Sequence, residues 1–191
     1  LFLFLKKNIS LHEIIFVALL VLFLPLISKV NFMQNDDWNR TTSVVRFLSG
    51  DTSLLQVTST TFYAQGILGF LFSTIFGWQR LPYLTFIISV LNYYLFAKIL
   101  SDHFNQSKIK SSLISLFFFF TPLHIYSSIG FMTENYTMFF MLIAIYFLHS
   151  YEKTHQKKDF LIFNLAGIIY FFTKQNGIII NFAYIPYLLF K

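Results

Sequence analysis

The chain has 191 residues, of which 56% are hydrophobic and 21% aromatic, while only 12% are charged and none is cysteine. The mean hydropathy is +0.64, and long apolar runs without strict alternation indicate an all-α membrane protein, which excludes a soluble domain and a barrel. The missing cysteines exclude disulfides and thiol catalysis. The net charge is +6, but the basic residues lie in short loops between apolar runs, where they act as topology signals. No nucleic-acid partner is therefore predicted.

Apolar runs approach the roughly 20 residues that cross a hydrocarbon core. They predict a polytopic transmembrane helical bundle of about six spans, near 13–30, 81–100, 111–127, 135–150, 160–173 and 177–190. The chain begins with Leu1 and ends in an apolar run, so we expect 1–191 to be a single transmembrane domain that forms the amino-terminal part of a longer protein. If the segment 62–78 does not cross the membrane, the lysine-rich loops after the second and fourth runs lie on the same side of the membrane as Lys6 and Lys7. The positive-inside rule then predicts a multi-pass plasma (inner) membrane protein with a cytoplasmic amino terminus.

The first outer loop, 31–80, follows the first span and begins with "NFMQNDDWNR". We expect a helix over 36–49, with Asp36 and Asp37 in its first turn, where the helix dipole favours acids, and with Gly50 ending it. The apolar segment 62–78 is predicted to be an interfacial helix on the outer face. Its glycines either pack closely on a neighbouring helix or are ordinary membrane glycines.

Polar residues interrupt the later apolar runs at three places. Pro122 predicts a kink or a helix end, and His124 beside it is either a metal ligand or, as is more usual for a lone histidine, simply hydrogen-bonded. Glu134 begins the fourth span in the second outer loop, "GFMTENY". The "TKQNG" at 173–177 is either a hairpin turn at the outer surface or a helix broken inside the membrane, where a polar break must be buried in protein or line a cavity.

Ionisable side chains collect on the predicted outer face. They are the acids Asp36, Asp37 and Glu134 and the cations Arg40, Arg46, Arg80 and Lys174. A carboxylate at the boundary of water and lipid can take a proton from an acceptor hydroxyl, while cations, arginine above all, can hold a phosphate. This combination predicts transfer of a group off a lipid phosphate; the plainer interpretation is helix-capping acids and interfacial anchors.

The layout of these segments resembles a known group of enzymes. The "NDDW" after the first span, "VVRFLSGD", "YAQGILGFLFSTIFGWQRLPYLTFIISVL", "FFTPLHIYSSIGFMTENYTMFFMLIAIYFL" and "GIIYFFTKQNGIII" are similar to the amino-terminal half of membrane glycosyltransferases of the GT-C superfamily. The likeness is to glycosyltransferase family 39, the dolichyl-phosphate-mannose protein mannosyltransferases, and their bacterial aminoarabinose-transferase-like branch. It covers nearly the whole chain in spacing and character.

The resemblance implies an enzyme that moves a sugar from a polyprenyl-phosphate-linked donor to an acceptor on the extracytoplasmic face. By this analogy Asp36 is the general base, Asp37 shares or replaces that role, Glu134 orients the acceptor or a metal, and Lys174 meets the donor phosphate. The roles of the three arginines as phosphate ligands rest on charge alone. The acceptor is a lipid, a polysaccharide or a protein, membrane lipids are the other expected partners, and a divalent metal is compatible with the sequence but not required by it.

Two other classes of function fit the same sequence. A transporter or flippase of a lipid-linked substrate would use "TKQNG" as a broken-helix site, and it predicts ionisable residues at mid-membrane depth. A non-catalytic GT-C-like subunit would keep the helices without the chemistry. The gathering of acids in the outer loops favours the enzyme.

Overall fold

The computed structural model describes residues 10–27, 35–54, 62–177, 179–180 and 182. Every regular element in this part of the chain is helical, which confirms the all-α prediction. The elements in order are α1 (Leu11–Ile27), α2 (Asn35–Leu48), α3 (Tyr63–Phe76), a 3₁₀ turn (Trp78–Arg80), α4 (Leu81–Asp102), α5 (Lys108–Phe119), α6 (Pro122–Ser128), α7 (Thr133–Thr154), α8 (Lys157–Phe171) and a second 3₁₀ turn (Gln175–Gly177).

The segment 31–80, which the sequence predicts to be an outer loop, contains the two predicted helices in its described part. Helix α2 begins with both aspartates in its first turn, and it ends where Gly50 adopts φ of +87°, a conformation that glycine reaches without a Cβ clash. Helix α3 occupies most of the predicted 62–78 segment. A Cβ on Gly69 would lie 2.7 Å from the Phe131 ring and 2.9 Å from a Val44 methyl, so this glycine is a close-packing position.

Helix α4 is the centre of the bundle, because it packs against α1, α5, α6 and α7. One apolar cluster joins α1 and α4 to the end of α5. A second cluster holds the outer elements together and consists of Val44, Phe62, Leu81, Ile88, Phe131 and Tyr136. These residues come from α2, the residue before α3, α4, the segment before α7 and α7 itself. The second cluster therefore fixes α2 against the segment that leads into α7.

One helix of the described part is long and apolar enough to cross a membrane. It is the run Trp78–Asp102, with 25 residues and a mean hydropathy of 1.6. Helices α5 and α6 satisfy the same test only as a pair, and they are bent by 70°. Helices α1 and α3 are apolar but shorter. The six-span arrangement therefore stays a prediction.

One predicted span differs from the structure, and parts of two others lie outside the described residues. The run 111–127 is not one straight helix, because α5 ends at Phe119 and Pro122 occupies the first turn of α6, as expected for a residue that cannot donate within a helix. The run 177–190 lies mostly outside the described residues, as do 28–30 of the first span. At "TKQNG" the chain turns: a Cβ on Gly177 would overlap the backbone of Tyr170 and Phe171, and Ile180 packs on the cluster of α7 and α8. Within the described residues, these contacts favour the hairpin over a helix broken inside the membrane.

The bundle has two polar ends. At one end the ε-amino group of Lys153 donates to the carbonyl of Asp102 over 2.7 Å, and His12 of α1 contacts Ser112 of α5 over 2.7 Å. The opposite end carries α2, α3, the segment before α7 and the end of α8. Every predicted site residue belongs to this second end, which we call the α2 end.

Candidate functional site

The two neighbouring aspartates of α2 lie in different environments. Successive helical residues are about 100° apart around the axis, so one of the pair faces the protein when the other faces outward. The Asp37 side chain is 1% exposed, whereas that of Asp36 is 71% exposed. Of the pair, Asp36 is therefore the carboxylate that a molecule arriving from water can reach.

Arg40, one turn further along α2, joins the two acids. Its guanidinium nitrogens lie 3.8 Å from an Asp36 carboxylate oxygen and 3.9 Å from an Asp37 carboxylate oxygen. The same group donates a hydrogen bond to the Met132 thioether over 3.3 Å. The predicted phosphate ligand is thus engaged with the acids, and it links α2 to the segment before α7.

Asp37 sits directly against Gly130. A Cβ on that glycine would overlap the Asp37 carboxylate, so the acid occupies space that only glycine leaves open. The next residue, Phe131, accepts a hydrogen bond at its carbonyl from the buried Gln65 amide over 3.0 Å. Buried Tyr136 completes this wall, and its hydroxyl lies 3.0 Å from that of Thr85 on α4.

Glu134 and Lys174 form the second predicted group. Their charged atoms are 3.9 Å apart, and both side chains are about half exposed. Glu134 lies in the first turn of α7, where the helix dipole stabilises an acid, and Lys174 follows the last turn of α8. An exposed pair of this kind contributes on the order of 0–1 kcal/mol, so a ligand can separate it at little cost.

An apolar cleft opens between α3, α7 and α8 beside this pair. It has a volume of about 530 Å³ and is lined by Tyr63, Ala64, Ile67, Leu68, Phe140, Ile169 and Phe172. Phe172 is two residues from Lys174, and its carbonyl accepts a hydrogen bond from the Ala64 N–H over 2.9 Å. This volume falls in the range of ligand-binding clefts.

Arg46 and Arg80 lie apart from the aspartates. Arg46 is about 15 Å further along α2 than Asp36, at a rise of 1.5 Å per residue, and it pairs with Asp51 at 4.0 Å. Hydrogen bonds from the hydroxyl and the N–H of Ser53, together with Arg46, lower the pKa of that Asp51 carboxyl. Arg80 lines a separate cleft on α3 and α4. Neither arginine shares the position of the acids, which leaves Lys174 and Arg40 as the cations of the site.

His124 is a buried, hydrogen-bonded histidine. Its Nε2 lies 2.7 Å from the Ser89 hydroxyl, and the rings of Phe118 and Phe119 flank it at 5.1 and 5.3 Å. Within the described ranges no three histidine, cysteine or acidic side chains come together in a way that would hold a metal ion. Of the two interpretations of His124, metal ligand and hydrogen-bonded histidine, the structure supports the second.

Three residues of the site were not selected from the sequence. Gln65 carried a signal, since an amide inside an apolar helix has to find a partner. Gly130 and Tyr136 carried none, because glycine and tyrosine are common at the ends of membrane helices. The chain matches no protein-family model, no curated protein and no solved structure.

Proposed function

We propose that this chain is a membrane glycosyltransferase, or a module of one, that moves a sugar from a polyprenyl-phosphate-linked donor to an acceptor at the outer face. The observation that carries the proposal is the division between the paired acids, with Asp36 exposed and Asp37 buried against Gly130 beside Arg40. An exposed carboxylate on a rigid helix can accept the proton of an acceptor hydroxyl. The buried one holds Arg40 and the first turn of α2 in place.

The donor would use the second group of residues. Lys174 offers a positive charge to the phosphate, and the apolar cleft beside it offers a surface for the prenyl chain. Binding of the phosphate separates Lys174 from Glu134, which frees the Glu134 carboxylate to orient the acceptor. Direct displacement at the anomeric carbon needs one base, so the second carboxylate need not act as a nucleophile and the sugar configuration inverts.

The placement of charges supports an outer-face site in a multi-pass protein. Lys98, Lys108, Lys110, Lys153, Lys157 and Lys158 belong to the helix ends opposite the α2 end, which the positive-inside rule assigns to the cytoplasm. No Asp, Glu, Lys or Arg occurs in α4 between Leu81 and Ala97. A transporter is expected to carry such residues at mid-depth, so the distribution favours boundary chemistry over translocation.

The test measures the lipid-linked sugar pool. Cells expressing the chain, its Asp36→Asn variant or an empty vector are labelled with radioactive sugar, and polyprenyl-phosphate sugars are resolved by thin-layer chromatography. We expect depletion of one of these species by the native chain and loss of depletion, by at least tenfold in rate, in the variant. Asp51→Asn is the matched control, because Asp51 is an exposed acid that pairs with Arg46 away from the site.

Two results would count against the proposal. If the native chain leaves every polyprenyl-phosphate sugar at the vector level, the transferase assignment is wrong. If Asp36→Asn depletes the same species at the native rate, the assignment of Asp36 as the base is wrong although the transferase assignment stands.

A further inference from the structure

A second cleft, formed by α3 and the start of α4, combines one cation with an aromatic surface. It has a volume of about 400 Å³ and is lined by Phe72, Phe76, Arg80, Tyr83 and Ile87. The rings of Phe72 and Phe76 lie 4.8 Å apart and form one wall. The Arg80 side chain is exposed at the end of the cleft where the 3₁₀ turn leads into α4.

Helical geometry separates this cleft from the candidate active site. Arg80, Tyr83 and Ile87 recur on one face of α4, while Leu81 and Thr85 face the wall that holds Asp37. At 100° per residue the centres of the two faces are roughly 140° apart. The cleft therefore lies on a different face of α4 from the residues that contact the wall around Asp37.

The positive charge of the cleft comes from Arg80. None of the acidic side chains that the structure describes forms an ion pair with Arg80. The amino-terminal end of α4 adds the positive end of its dipole to the same place. An anion, and a phosphate in particular, complements both charges.

The depth of the cleft suits the upper part of a lipid acyl chain. Ile87 lies about 10 Å below Arg80 along the helix axis, at 1.5 Å per residue, so the apolar wall descends from the headgroup level into the hydrocarbon. Tyr83 of the lining belongs to a residue type that is enriched at the membrane interface. We propose that this cleft binds an anionic glycerophospholipid, with its phosphate on Arg80 and an acyl chain along Phe72, Phe76 and Ile87.

Trp78 provides the readout, because it lies two residues before Arg80 in the same 3₁₀ turn. The chain has two tryptophans, so Trp38→Phe leaves Trp78 as the sole emitter. This protein is reconstituted in phosphatidylcholine vesicles that contain an equal fraction of brominated phosphatidylglycerol or brominated phosphatidylcholine. One arginine–lipid contact predicts about fivefold enrichment of the anionic lipid, seen as stronger quenching by the brominated phosphatidylglycerol.

Arg80→Gln should remove that difference, and Arg46→Gln should keep it, because Arg46 already pairs with Asp51. Circular dichroism establishes that both variants keep the native helix content. Equal quenching by the two brominated lipids in the native background, or an undiminished preference in Arg80→Gln, would overturn the assignment. Neither result depends on glycosyl transfer.

Discussion

Replacing Gly130 by alanine tests whether the Asp37 carboxylate occupies the space that we describe. The added Cβ would overlap that carboxylate, and Asp37 is 1% exposed, so the acid has no room to turn aside without moving α2. The backbone of Gly130 does not have a positive φ, so alanine brings no conformational strain of its own. The effect of the substitution is therefore steric.

Overpacking of this kind costs about 1–3 kcal/mol. For a chain of this size 1 kcal/mol corresponds to roughly 2–4 °C in the thermal midpoint, so we expect a fall of about 2–12 °C. The midpoint is followed by tryptophan emission in detergent, since Trp38 adjoins Asp37 in sequence.

A double-mutant cycle shows whether the carboxylate causes the loss. In an Asp37→Ala background the space beside Gly130 is empty, so Gly130→Ala should cost less than about 0.5 kcal/mol there, within the scatter of independent sites. If Gly130→Ala costs the same with and without the Asp37 side chain, the contact between these two residues is not as the structure has it, and the buried position of Asp37 loses its main support.

Three further predictions concern packing, hydrogen bonding and pH. Gly69→Ala should lower the thermal midpoint, because its Cβ would lie 2.7 Å from the Phe131 ring and 2.9 Å from a Val44 methyl and cost about 1–3 kcal/mol. An unchanged midpoint would contradict the close packing of α3 against α2 and the segment before α7. Thr85→Val should lower the free energy of unfolding, measured by chemical denaturation, by about 1–3 kcal/mol, because it leaves the buried Tyr136 hydroxyl without its hydrogen-bond partner. Adding Tyr136→Phe should recover most of this loss. If it does not, the hydrogen bond is not the cause. Burial, with nearby cations, lowers the pKa of His103 below 6.5 in the folded protein. The neutral His103 side chain therefore contributes fully to folding stability above pH 6.5, and this contribution is lost as the pH falls from 6.5 through the lower pKa of the folded state. His103→Gln should therefore flatten the acid side of the plot of thermal midpoint against pH, and an identical plot would refute this.

Local sequence signals were sufficient where short-range chemistry decides the structure. The α2 boundaries followed from acids in a first turn and from Gly50, since dipole and left-handed backbone preferences act within one helical turn. The break at Pro122 followed for the same reason, because proline cannot donate within a helix. The long apolar runs likewise indicated an all-α chain.

The sequence did not determine the inside of the candidate site. Asp36 and Asp37 are chemically identical neighbours, and which of them is buried depends on where Gly130 and the end of α6 come to lie. Arg40 was predicted to be a phosphate ligand. Its ion pairs with Asp36 and Asp37 are local to α2, but its hydrogen bond to Met132 forms only when the segment before α7 packs on α2. Arg80 had the same charge and the same predicted role, yet it faces another side of α4.

By itself, then, the sequence determined the all-helical fold and the set of ionisable residues available to a site, because hydropathy and backbone preferences are local properties. Only the tertiary structure decided which aspartate is exposed, that Lys174 lies beside Glu134, and that Arg80 lines a separate cleft. Those outcomes depend on contacts between residues that are far apart in the chain. Such contacts form only once the helices have packed.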